Sequence, residues 1–140
     1  MRKLDITDGK LIYAQIYNLN IDGKIIFPTS HESEMQCGFG TVDNQTEKQP
    51  HIHKVLKRTT RHTSEFFFIY EGSVLDTFYD NDENIITSEL LEAGMGFIQF
   101  FGGHGFSFSP KTKYIEVKQG PYIGNKDDKY FLNKDKDATK

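Results

Sequence analysis

Residues 65–72 read Glu65-Phe66-Phe67-Phe68-Ile69-Tyr70-Glu71-Gly72, and this stretch decides the fold. Aromatic and β-branched residues in a run, closed by glycine, form a strand that ends in a tight turn. Side chains alternate across a strand, so Glu65, Phe67 and Ile69 share one face and Phe66, Phe68 and Tyr70 the other. With Glu65 facing inward, Phe67 and Ile69 line a core. The opposite aromatic face is costly to leave in water. It calls for a second sheet or a partner subunit, and a homodimer is the expectation.

The same rhythm of short strand and turn fills the chain on both sides. Residues 11–17, 24–27, 35–42 and 51–56 read as strands, with a turn at 18–23 and a polar loop at 43–50. Residues 74–79 and 85–87 form a hairpin around Asp80-Asn81-Asp82-Glu83-Asn84. Further strands follow at 97–101, 105–109 and 114–119. Gly72 and Gly94 stand where sharp turns are needed. Segment 88–93 is the one locally helix-prone stretch and suits a strand end equally. About ten short strands with turn signals roughly every 8–12 residues predict an all-β sandwich, jelly roll or barrel. A single domain over 1–140 is expected, with a polar tail from about 124 to 140.

The 140 residues include twelve Phe and no Trp, so the core is expected to rest on phenylalanine. The net charge of -3 and the absence of a basic stripe give no electrostatic footprint for nucleic acid. No apolar run approaches the ~20 residues that cross a membrane. No apolar segment follows the charges at the N-terminus, so no signal peptide is read there, and a cytoplasmic location is expected. Cys37 is the lone cysteine; it excludes an intramolecular disulfide and is expected to be a small buried thiol in a strand.

Chemistry concentrates in the histidines. His51 and His53 sit two apart on a predicted strand, so both imidazoles point to one face, roughly 7 Å apart at the β-carbons. That spacing suits convergence on one divalent ion. Glu65 and His104 from neighbouring strands would complete a site with room for water or substrate. The same residues also suit a metal-free polar pocket. His62 lies three residues before Glu65 and is either a substitute ligand or an exposed loop residue among Lys57, Arg58 and Arg61. Those cations either meet an anionic substrate or form a solvated loop. His31 has no partner in its neighbourhood.

These residues resemble the cupins, whose motifs are G-x5-H-x-H-x3,4-E-x6-G and G-x5-P-x-G-x2-H-x3-N. The chain has His51-x-His53, then Glu65, six residues and Gly72, then Gly94, Phe100, Gly102 and His104, over about 50–108. It departs from the pattern at Gln45, in the eleven residues between His53 and Glu65, at Phe100, and in the closer Gly102–His104 spacing with Phe108 after it. Residues 115–122 also look like the ending of small bacterial cupins associated with polysaccharide and nucleotide-sugar pathways. The resemblance implies a cupin-type double-stranded β-helix with one divalent ion (Zn, Fe, Mn or Ni) on His51, His53, Glu65 and His104. It implies a small polar substrate in the barrel, such as a sugar or sugar nucleotide, with the ion as Lewis acid or O2 site. Two alternatives stand beside it. One is a metal-free nucleotide-sugar epimerase or ketoisomerase with His51 or His53 as base; the other is a non-catalytic ligand-binding module. Tyr70 and Tyr122 are the nominated general acids.

Overall fold

Alternation along residues 65–71 governs how this chain packs. The computed structural model describes residues 3–19, 25–42 and 44–132. Its strands are β1 (Lys3–Thr7), β2 (Ile12–Asn18), β3 (Glu65–Glu71), β4 (Ser73–Tyr79), β5 (Ile85–Glu92), β6 (Met95–Gln99), β7 (Gly103–Phe108) and β8 (Lys113–Lys118). One helical turn, α1 (Asn125–Asp128), follows. The strands form two antiparallel sheets, ordered β1-β2-β6-β3-β8 and β5-β4-β7. The fold is an all-β, two-sheet sandwich. No helix among the described residues is long and apolar enough to cross a membrane.

Register decides which side chains meet. Residues directly opposite in a ladder point to the same face. In the large sheet, Ala14 and Glu65 both pair with Gln99, and Ile16 and Phe67 both pair with Phe97. β8 extends these rows, with Lys118 opposite Glu65 and Glu116 opposite Phe67. In the small sheet, Val74, Asp76 and Phe78 lie opposite Phe108, Phe106 and His104. The two inner faces meet in a core of Ile6, Ala14, Ile16, Phe67, Ile69, Val74, Phe78, Leu91 and Phe97. Phe67 is its hub: its ring lies 4.5 Å from Tyr114, 4.7 Å from Phe106 and 5.7 Å from Phe97, centroid to centroid.

Gly102 sets the start of β7 and hence the height of His104. Its φ is 82°, and a β-carbon there would stand 2.5 Å from the Tyr79 carbonyl oxygen and 2.7 Å from the Tyr13 ring. Only glycine takes that turn without displacing its neighbours. Gly72 and Gly94 also have positive φ, as their turns require.

Several expectations are corrected. Strands at 24–27 and 35–42 reduce to a single bridge between Ile26 and Phe39. The Phe27 ring presses on Gly38, where a β-carbon would lie 2.3 Å from it, so the two segments fold onto each other as loops. Cys37 is therefore half-buried outside any strand. The strand at 51–56 does not form. Ile52 and Val55 there are 94% and 103% exposed, because the segment pairs with no neighbouring edge and an unpaired strand has no ladder to hold it. Segment 88–93 is strand through Glu92, since pairing of Leu90 with Leu75 and Glu92 with Ser73 outweighs local helix propensity. β1 was not anticipated; only Leu4 and Ile6 carry its apolar alternation. Residues 20–23 of the predicted turn, Lys24, Asp43 and the tail from 133 lie outside the described residues.

Outside the sandwich, Phe66 and Phe68 are half-buried, whereas Tyr70, Ile115 and Val117 are about half exposed. This contrast is testable by urea denaturation. Phe67→Ala is expected to cost roughly 3–5 kcal/mol, and Tyr70→Ala less than about 1 kcal/mol. Equal costs would contradict the assignment of the inner face.

Candidate functional site

Glu65 opens β3, and its ladder partners Gln99 on β6 and Lys118 on β8 stand beside it on the inner face. His104 reaches them from β7, on the other sheet. Its Nδ1 lies 2.8 Å from Gln99 Oε1, and its Nε2 lies 3.4 Å from Glu65 Oε2. Gln99 Nε2 donates to the Phe101 carbonyl at 3.3 Å, which fixes the orientation of the amide. Oε1 is then an acceptor only, so His104 Nδ1 carries the proton. The Nε2 lone pair is left pointing at a carboxylate.

Burial of the pair governs its charge. Desolvation, helped by the cations Lys129 and Lys118, holds His104 down at about 4. Glu65 is raised, first by burial and then by Glu116, with Lys118 and Lys129 opposing. The imidazole is therefore neutral at pH 7, and its contact with Glu65 is not an ion pair. Two acceptors face each other instead. A proton on Glu65 or a cation between them removes the conflict. Two ligand atoms bound at about 2.1 Å in tetrahedral geometry stand roughly 3.4 Å apart, so the spacing also fits a metal ion.

Behind this pair lies Asp76, fully buried on β4 opposite Phe106. Neither carboxyl oxygen has a hydrogen-bond partner. Burial pushes it up to about 8; the Gly105 N–H, nearby but outside hydrogen-bond geometry, opposes this, and Glu65 adds to it. Asp76 is thus a neutral acid at pH 7. Sequence reasoning missed Asp76 and Gln99. For Asp76 a signal existed, an acid at the inward position between Val74 and Phe78.

The other sequence candidates lie elsewhere. His51 and His53 sit on an exposed segment with their rings 5.1 Å apart, and His51 Nδ1 is 3.1 Å from the Gln49 carbonyl. They meet each other and do not reach Glu65 or His104. Among the described residues no three His, Cys, Asp or Glu side chains form a metal-holding group. Tyr70, the next-to-last residue of β3, lies on the face opposite Glu65, half exposed. Tyr122 donates to Asn125 at 2.8 Å and lies under Lys118 Nζ, 4.9 Å from its ring centre, so it adjoins the pair through Lys118. Lys118 is itself 3.2 Å from Asp128. His62 is exposed, with its ring 5.4 Å from Phe101. His31 is exposed, and burial pushes the Cys37 thiol up to about 11.

Among known protein families, curated proteins and solved structures, none matches this chain.

Two buried groups give opposed pH dependences. His104 is held from 6.5 down to about 4, so the unfolded chain gains a proton there first, and stability falls as pH drops through that window. Asp76 is held from 3.8 up to about 8, so the unfolded chain loses a proton first, and stability falls as pH rises through that window. Below 6.5 the two slopes offset each other; between 6.5 and 8 the Asp76 slope remains. Asp76→Asn is expected to flatten that upper window, where one proton contributes at most about 1.4 kcal/mol per pH unit. Urea unfolding at several pH values checks this, and an unchanged slope would contradict it.

Proposed function

We propose that this chain is a metal-binding cupin in which Glu65 and His104 hold one divalent ion together with His51 and His53, and that it acts on a small polar substrate. The observation that carries the reading is the pair of opposed acceptors, His104 Nε2 and Glu65 Oε2, at 3.4 Å. A carboxylate and an imidazole lone pair aimed at each other in a half-dry setting form half of a metal site. Gln99 supplies the outer hydrogen bond that metal-bound imidazoles use to fix their tautomer.

The remaining half has a route to the site. β7 is the last strand of the small sheet, so one of its edges is open. Segment 51–56 leaves Ile52, Val55 and Leu56 in water and has no ladder of its own. Strand addition to the β7 edge would satisfy that backbone and bring His51 and His53 beside His104. It would also close the small sheet toward the double-stranded β-helix of the cupins. When bound, the ion would polarise a substrate oxygen or bind O2. The chain's own groups orient the imidazole through Gln99 and keep a proton on Asp76. A sugar or sugar nucleotide is the substrate class that the motif resemblance suggests.

One observation favours a second, metal-free reading. Burial raises Glu65 and lowers His104, which suits a proton held by Glu65 against the His104 lone pair and moved between them during catalysis.

Elemental analysis and equilibrium dialysis of untagged protein against Mn, Fe(II), Ni and Zn separate the readings. About one ion per chain is expected, lost in Glu65→Gln and in His104→Ala. The His51→Ala/His53→Ala double variant is expected to weaken binding by roughly a hundredfold or more. No binding of any of the four ions, or binding indifferent to Glu65 and His104, would overturn the metal reading and leave the proton-sharing pair.

A further inference from the structure

A cleft of about 590 Å³ opens at the same end of the sandwich as Glu65 and His104, on the outer side of the large sheet. Ligand cavities commonly range over roughly 300–1,000 Å³, so its size suits a nucleotide. Phe100, Phe101 and His62 form aromatic walls, and Ser64, Glu32 and Arg61 supply polar groups. Phe101 is fixed before any ligand arrives: its ring packs edge-on against Tyr13 at 5.0 Å and at a tilt against His62 at 5.4 Å. The Arg61 backbone N–H donates to both carboxylate oxygens of Glu34 at 3.3 Å, which ties the two rims together and occupies Glu34. The Arg61 guanidinium and the Glu32 carboxylate make no ion pair among the described residues.

We infer that this cleft is a binding subsite for a nucleoside diphosphate, with the base on the Phe100–Phe101–His62 walls, the ribose diol on Glu32 and the phosphates on Arg61. Each assignment follows from chemistry. Bases stack on aromatic side chains with little dependence on sequence. A carboxylate accepts both hydroxyls of a ribose diol, as in dinucleotide sites. The planar guanidinium binds phosphate through paired N–H groups. The Ser64 residue is buried to 2% exposure at the cleft, directly before Glu65 in the chain. Ser64 and Glu65 point to opposite faces of the large sheet, so the cleft and the Glu65–His104 pair lie on its two sides. A physical link also exists, because Gln99 bonds both the Phe101 carbonyl, at 3.3 Å, and His104, at 2.8 Å. A base seated on Phe101 bears on the residue that sets the His104 tautomer.

The inference rests on the proposed function only in expecting a nucleotide that carries a sugar; nucleotide binding in the cleft needs no metal. The test therefore uses the full chain stripped with EDTA, titrated by calorimetry with UDP, ADP, uridine and UDP-glucose. UDP and ADP are expected to bind saturably with Kd at or below about 1 mM. Arg61→Gln should weaken UDP by roughly tenfold and leave uridine unchanged. Phe101→Leu, which keeps an apolar side chain against Tyr13, should weaken both by a similar factor. UDP-glucose binding tighter than UDP would identify the carried sugar as part of the ligand; equal affinity would identify the free nucleotide as the occupant. No saturable binding of UDP or ADP up to about 5 mM, or affinity indifferent to Arg61→Gln, would overturn the subsite. Metal dialysis with Glu65 and His104 variants stands independently, so failure of either reading is visible without the other.

Discussion

The His104 imidazole crosses from the small sheet to the large one and donates from Nδ1 to Gln99 Oε1 at 2.8 Å. Chemistry at this end of the sandwich depends on that hydrogen bond. It decides that Nε2, facing Glu65, is the bare nitrogen. It also requires that β6 and β7 be held at one relative height, which the Gly102 turn and the β2–β6–β3 ladder provide. A shift of one residue in either ladder would turn Gln99 or His104 out of the interior altogether.

The same register divides the sandwich into an aromatic end and a polar end. Toward one end, Phe67, Phe106, Phe108 and Tyr114 stack on one another, with ring centres 4.5–6.2 Å apart. Toward the other, Glu65, Gln99 and Lys118 form a row across three strands and meet His104. The Phe106 ring, 4.5 Å from His104, joins the two. Its position explains why the polar cluster is half-dry, and why imidazole and carboxyl are shifted in opposite directions rather than forming a simple ion pair. Asp76, buried behind Phe106 without a partner, extends that low-dielectric zone into the small sheet.

Much of this was legible before the fold was known. Alternation placed Glu65, Phe67 and Ile69 on one face and His104, Phe106 and Phe108 on another, and the interior uses both sets. Gly72 and Gly94 fell at turns for the reason expected. Legibility failed where local pattern and tertiary pairing part company. Residues 51–56 have strand composition, yet a strand needs an edge to pair with, and none is engaged here. Residues 88–93 have helical composition, yet β4 recruits them. Gln99 was invisible because an amide in an apolar strand has no motif; only the ladder with Glu65 and the contact with His104 reveal its role.

The central claim is that His104 is a neutral imidazole with its proton on Nδ1 and a free Nε2 beside Glu65. Long-range 1H–15N correlation NMR on uniformly 15N-labelled protein, followed from pH 7.5 to 5, reads the protonation of each ring nitrogen directly. The account predicts a pyrrole-type Nδ1 and a pyridine-type Nε2 for His104 throughout that range, with the exposed histidines assigned by substitution. An imidazolium at neutral pH, or the tautomer with its proton on Nε2, would contradict it.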